Sequence, residues 1–355
     1  MSKFLGLFLL WAQLILAQTG RHYANEFLNI GVDAGALGMG NAVIASSQNG
    51  TAGYWNPAGL SQISRQQINL MHAAYFANIA QYDYMSYAKP INKEMGMSLS
   101  LIRFGVDNIM NTSQLIDDQG NINYDRITYF SAADYAIILS LGKKNILKNL
   151  SAGASAKIIY RHIGDFASGY GFGFDIGLQY QLRKWQLGVM LRDATTTFSY
   201  WTVDQNTFQA IADAIPGQNN TSPKAVELSL PKMQLGIARH FQLKKNWQLL
   251  TELDFNARFF QMNTLISSKA ISIDPSLGLN FSYNKMAFIR LGINNFRKEI
   301  SFDTESLKFQ PNAGLGFRYK GLQLDYALTN IGSNNFFSHV FSLQIDLEHF
   351  INPGN

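Results

Sequence analysis

The sequence has no cysteine, only 8 prolines and only 15% charged residues. The missing cysteine excludes a disulfide framework, thiolate metal sites and a cysteine nucleophile. Scarce proline beside 29 unperiodic glycines excludes collagen-like and low-complexity chains. The low charge, against about 25% in ordinary domains, accompanies 47% apolar and 13% aromatic residues, so intrinsic disorder is excluded as well. Beyond the N-terminus no stretch approaches the roughly 18 consecutive apolar residues that a spanning helix needs. The net charge of +5 would suit nucleic acid, but no face gathers cations with base-stacking aromatics, so a nucleic-acid partner is not expected.

What is present begins with Lys3, a run from Phe4 to Leu16 that is apolar but for Gln13, and small Ala17. That pattern predicts a secretory signal peptide over 1–17. The exported remainder alternates with a period of two. In Phe341-Ser342-Leu343-Gln344-Ile345-Asp346-Leu347-Glu348 every odd position is apolar. Phe172, Phe174, Ile176 and Leu178 alternate with Gly173, Asp175, Gly177 and Gln179. A strand places such residues on opposite faces, one greasy and the other polar or glycine. Fourteen segments behave this way, near 66–77, 80–90, 95–105, 131–142, 150–163, 170–182, 184–193, 229–241, 246–257, 272–283, 286–295, 311–319, 321–330 and 339–350. Most are longer than the usual soluble strand of about 5–6 residues and match a tilted bilayer crossing. The expected fold is all-β: a 14-stranded antiparallel transmembrane β-barrel over 65–350, with outer-membrane lipid as its surroundings and 351–355 as a tail.

Connections alternate in length. Short turns such as Arg183-Lys184, Asn284-Lys285 and Lys320-Gly321 separate longer loops near 106–130, 194–228, 258–271 and 296–310. In barrels of this kind short turns are periplasmic, which puts both termini there. The short turns collect Lys89, Lys93, Lys143, Lys144, Lys148, Arg183, Lys184, Lys244, Lys245, Lys285 and Lys320, which meet headgroups or simply keep the turns solvated. Aromatics near strand ends predict two girdles, with Trp185, Trp247, Tyr283, Tyr319 and Phe350 on the turn side. Tyr75, Phe76, Phe104, Trp201, Phe259, Phe336 and Phe337 mark the loop side.

Residues 18–64 do not alternate and are rich in small side chains. They form either an idle tail or a hatch inside the barrel, and the small residues favour the hatch. Within them Asn56 reads as a helix N-cap with Pro57 at the first helical position. The polar strand face carries acids (among them Asp134, Asp175, Glu252, Asp254 and Asp325) and bases (Lys157, Arg161, Arg192, Arg290 and Arg318) near balance. They are expected to pair with one another and with the hatch. In the loop 194–228, the stretch 204–217 reads as an amphipathic helix with Phe208, Ile211, Ala212 and Ile215 on one stripe. It is an external docking helix, a lid, or a helix packed on the rim.

Gly35-Ala36-Leu37-Gly38-Met39-Gly40-Asn41-Ala42, followed by Tyr54-Trp55-Asn56-Pro57-Ala58-Gly59-Leu60, resembles the N-terminal signature of the PorV/PorQ family, within the wider FadL-like group of outer-membrane barrels. The resemblance marks Gly38, Gly40, Trp55, Asn56, Pro57, Ala58 and Gly59 as hatch motif residues. Its PorV side implies a type IX secretion component that binds or shuttles exported cargo, with secretion-system subunits and cargo C-terminal domains as partners. Its FadL side implies instead passage of a hydrophobic ligand past the hatch. Neither implies bond chemistry or a cofactor. The residues agree: there is no G-x-S-x-G, and the six histidines have neither H-E-x-x-H nor other metal spacing, so no catalytic or metal residue is expected.

Overall fold

The computed structural model describes residues 25–116, 119–205, 226–301, 304–330 and 337–351. The signal peptide expected over 1–17 and the helix bearing Phe208, Ile211, Ala212 and Ile215 lie outside them. The strands are β1 (Gln67–Tyr75), β2 (Ala80–Pro90), β3 (Met95–Asn111), β4 (Thr128–Leu147), β5 (Leu150–Ile163), β6 (Ala167–Leu182), β7 (Trp185–Arg192), β8 (Thr197–Val203) and β9 (Val226–Ser229). They continue with β10 (Lys232–Lys244), β11 (Trp247–Arg258), β12 (Ile266–Ser267), β13 (Ser272–Tyr283), β14 (Ala287–Ser301), β15 (Thr304–Tyr319), β16 (Leu322–Thr329) and β17 (Ser338–Asp346).

All belong to one antiparallel sheet that closes on itself, because β1 pairs with both β2 and β17: Leu70 faces Met85 on one side and Leu343 on the other. β7 with β8 forms one interrupted stave and β9 with β10 another, and β12 only extends the β13 edge, so the barrel has fourteen staves. Closure leaves no unpaired edge, the condition for β-structure in hydrocarbon.

Alternation sorts the faces inside out relative to a water-soluble protein. Leu99, Leu101, Leu139, Phe172, Phe174 and Ile176 are exposed outward, while Ser98, Ser100, Ser140, Asp175 and Gln179 are buried inward. An apolar band of that extent in water would drive aggregation; against lipid it is the stable arrangement.

The ladder outlasts the sequence pattern. The loop expected at 296–310 is a hairpin in which β14 runs to Ser301 and β15 starts at Thr304; β3 and β4 likewise reach into 106–130. Above the bilayer both faces are wet, so pairing continues without alternation. The final strand stops at Asp346, and Glu348–Ile351 make a helical turn in which Phe350 N–H bonds to Leu347 O, so Phe350 does not end a strand. Tyr75 and Phe104, expected in the external girdle, lie on the inward face, where Tyr75 is 1% exposed.

Residues 25–64 fill the lumen with short helical pieces: Glu26–Asn29, Ala34–Gly38, Ala52–Trp55 and Pro57–Gln62. Val32, Ala34, Ile44, Ala52, Asn56, Ala58 and Leu60 are fully buried there.

Candidate functional site

The site is the contact between this lumenal segment and the inner wall. Inward positions of successive strands carry glycine, and the segment's backbone lies on them. A Cβ at Gly188 would meet the Ile44 carbonyl oxygen at 2.5 Å, one at Gly278 would meet the Met39 carbonyl oxygen at 2.7 Å, and one at Gly236 would meet the Ala45 nitrogen at 2.9 Å. At Gly96, Gly142, Gly153 and Gly292 the approach is closer still, to Leu60, Pro57 and Met39. The glycines of the polar strand face are therefore a seat for a second backbone.

The motif residues sit on it. Gly38 packs on the backbone of Gly314, and Gly40, in the left-handed region (φ 64°), lies against Ile293. Asn56 Oδ1 accepts from Ala58 N (3.2 Å), the expected cap with Pro57 following, although the helix it starts is 3-10. Its amide nitrogen also donates to Ile44 O (2.9 Å) and to Leu178 O of the wall (3.1 Å). Trp55 Nε1 donates to Val32 O (3.1 Å), and Gly59 leaves room for the Ser47 carbonyl.

Charged wall residues clasp the segment from one side. Asp254 accepts from Val43 N (2.9 Å) and Ile44 N (3.1 Å), and Glu252 accepts from Ala45 N (2.6 Å). Arg192 donates to Tyr54 O (2.9 Å) and Leu28 O (3.3 Å), with its guanidinium 4.3 Å from the Tyr54 ring centre. Burial raises the Tyr54 phenol's pKa, partly offset by that guanidinium. The Arg290–Asp325 pair (2.5 Å) lies beside Gly35 and Asp33. Burial, reinforced by Asp325 and opposed by Arg290, pushes Asp33 up to about 6. The expected pairing of wall charges with each other and with the segment is present; the glycine seat is what sequence reading missed, though its signal was the glycines recurring on one strand face.

Across the lumen Ser140 Oγ and Ser155 Oγ donate to Gly53 O (2.9 and 3.3 Å) and Gln67 Oε1 accepts from Gly50 N (2.9 Å), while nearer the external rim the wall is apolar. Met71, Ala73, Tyr75, Tyr82, Ile102 and Ile159 of the wall pack against Phe27, Leu28, Val32, Tyr54 and Trp55 of the segment. Outside the segment opens a cup of about 580 Å³, whose lining includes Lys232, Asn256, Arg258, Asp274 and Arg297.

Between β7 and β8 the wall bulges. Ile176 pairs with Leu191 and Phe172 with Phe198, so the β7–β8 stave carries three residues more than β6 across this interval. Asp193 (φ 52°) and Thr196 (φ 62°) turn the chain there. Lys157, 3% exposed, fills the space behind and contacts Asp175 (2.7 Å) and Asp193 (2.6 Å). Among the described residues no cluster of three or more His, Asp or Glu side chains is placed to hold a metal.

No protein-family model and no curated protein matches the chain. Solved structures do. A FadL homologue of Pseudomonas aeruginosa superposes with a TM-score of 0.50 at 12% identity, over 89% of this chain and 98% of that one. The fold is FadL-like. The Pseudomonas putida toluene transporter TodX matches this FadL-like chain with a TM-score of 0.52 at 14% identity (89% and 96% covered). The Ralstonia pickettii toluene transporter TbuX gives 0.51 at 10% (89% and 98% covered). At these identities the likeness establishes the architecture alone.

Proposed function

We propose that this FadL-like barrel resides in the bacterial outer membrane and passes small hydrophobic molecules through its wall or lumen, with residues 18–64 as a movable hatch. On this reading 1–17 is the signal peptide, 65–350 the barrel, 351–355 a tail, and Gly38, Gly40 and Trp55–Gly59 the hatch motif. The observation that carries it is the division of the lumen: the charged side chains of Arg192, Glu252 and Asp254 hold the hatch from one side, whereas beside Tyr75, Tyr82 and Ile102 the hatch meets a cluster of apolar side chains. Releasing the clasps opens a path whose lining is apolar, the lining a hydrophobic solute needs. Structural neighbours described as toluene transporters support the same reading.

The test uses a cysteine pair, since the chain has none of its own. Ala34 N donates to Ser342 Oγ (2.7 Å) across the hatch–wall contact, so Ala34→Cys with Ser342→Cys tethers the two. Cells expressing the pair should take up radiolabelled toluene at least tenfold more slowly when oxidised than when reduced. Uptake indifferent to the tether would overturn the proposal.

A second reading rests on the PorV/PorQ-like motif and on the filled lumen below an external cup: a type IX secretion component that binds cargo C-terminal domains at the surface. Recovery of such cargo and of secretion subunits with the protein from native membranes, with uptake unaffected by the tether, would favour it. Neither reading calls for a cofactor.

A further inference from the structure

The outer wall carries one row of side chains that contact with hydrocarbon does not explain. Around the barrel, cross-strand partners Tyr135, Tyr160 and Tyr170 on β4 to β6 form an aromatic row, and Tyr326 and Phe341 continue it on β16 and β17. Such rings mark a membrane interface. Between these arcs, in the same register, stand His72, Asp83 and Arg103. His72 Nδ1 and Asp83 Oδ1 are 2.7 Å apart, Asp83 Oδ2 is 3.7 Å from Arg103 Nη1, and Arg103 reaches on to Asp107 (3.0 Å). The side chains of His72 and Asp83 are 55% and 41% exposed, on the outside of the barrel.

The neighbouring registers fix the level of this trio. Toward the external rim the next outward partners are Ala74, Gln81 and Gly105, which are small or polar. Toward the end that bears the chain termini they are Leu324, Leu343, Leu70, Met85 and Leu101. These five line an open groove of about 500 Å³ that reaches His72, Asp83 and Arg103. A polar lip thus stands at the interface above an apolar channel running into the bilayer, the outline of one amphiphile.

The lip's charge selects the headgroup. One guanidinium stands between two carboxylates, so a headgroup that is only anionic meets Asp83 and Asp107 as well as Arg103. A headgroup with both a phosphate and an ammonium matches all three. We propose that the outer face of β1 to β3 binds one aminophospholipid, phosphate on Arg103, ammonium on Asp83 and Asp107, and an acyl chain along Leu70, Met85 and Leu101. This site is independent of the transport reading.

The test is native mass spectrometry of the full chain in dodecyl maltoside, with phosphatidylethanolamine or phosphatidylglycerol as the added probe. The wild type should retain one phosphatidylethanolamine per barrel, with at least tenfold preference over phosphatidylglycerol. Asp83→Asn with Asp107→Asn should abolish the preference. Leu70→Trp, which fills the groove and leaves the charges in place, should weaken retention of both lipids at least tenfold. Heat-modifiable migration in gels confirms that each variant is a folded barrel. Equal retention of the two lipids by the wild type, retention of neither, or preference unchanged in the double variant would overturn the proposal.

Discussion

Gly188 in the wall and Ile44 in the lumenal segment are packed backbone to backbone: a single Cβ on Gly188 would stand 2.5 Å from the Ile44 carbonyl oxygen. The barrel holds its contents by omitting side chains on one face of its strands, then adding hydrogen-bonding groups at the few positions where the segment's amides need partners. Both halves of that design can be tested separately.

Gly188→Val should push the segment off its seat while leaving the outward face, and hence barrel insertion, unchanged. Overpacking of this kind costs about 1–3 kcal/mol. Maleimide labelling of a Ser47→Cys reporter, otherwise buried, should rise roughly tenfold for each ~1.4 kcal/mol lost. Leu139→Val, on the lipid side, should leave labelling unchanged.

Asp254→Ala removes the acceptor for two backbone N–H groups in the lumen. Each buried donor left unpaired costs about 1–3 kcal/mol, so the same reporter should respond strongly. Asp254→Asn keeps an acceptor oxygen and should cost much less. Equal labelling of the two variants would show that the clasp is not what holds residues 43–46.

The lumenal segment should dock more tightly in acid than at neutral pH. Asp33 is raised to about 6 from 3.8 by burial, so the docked state favours its protonated form. Below pH 4 docked and released segments are both protonated there, and no penalty exists. Between about pH 4 and 6 the released form ionises first, and docking weakens. Above pH 6 both are ionised and the penalty is constant. Protease sensitivity of the segment should fall with acidification in the wild type, and Asp33→Asn should make the change between pH 4 and 6 shallower.

Removing the Lys157 charge from the wall should be strongly destabilising. Lys157→Met leaves the buried Asp175 and the half-buried Asp193 without their cation, a loss of about 3–5 kcal/mol. The gel-shift melting temperature of the barrel should drop. Adding Asp175→Asn and Asp193→Asn should recover much of the loss, because the uncompensated charge disappears. A triple variant as unstable as Lys157→Met would locate the damage in packing at the bulge instead.

The barrel was legible in the sequence because a lipid-facing strand has no freedom: every second side chain between the two interfaces must be apolar, as in Phe172, Phe174 and Ile176. Stave number follows from the same constraint, and the small residues of the lumenal segment follow from a different one, close packing of its backbone inside the barrel. Outside the bilayer the constraint lapses, which is why the hairpin at Ser301 and Thr304 looked like a loop. Which of the strand-end aromatics face out was not legible either, since Tyr75 and Phe104 differ from girdle residues only by one step of register.

The sequence by itself determined a closed, lipid-facing wall with a glycine-marked inner face, because that pattern answers to one physical condition repeated along the chain. Only the tertiary structure decided that Gly188 receives Ile44, that Asp254 holds Val43, and that His72 meets Asp83 and Arg103 on the outside. Those pairings join residues far apart in the chain, and they exist only once the sheet has closed and fixed its register.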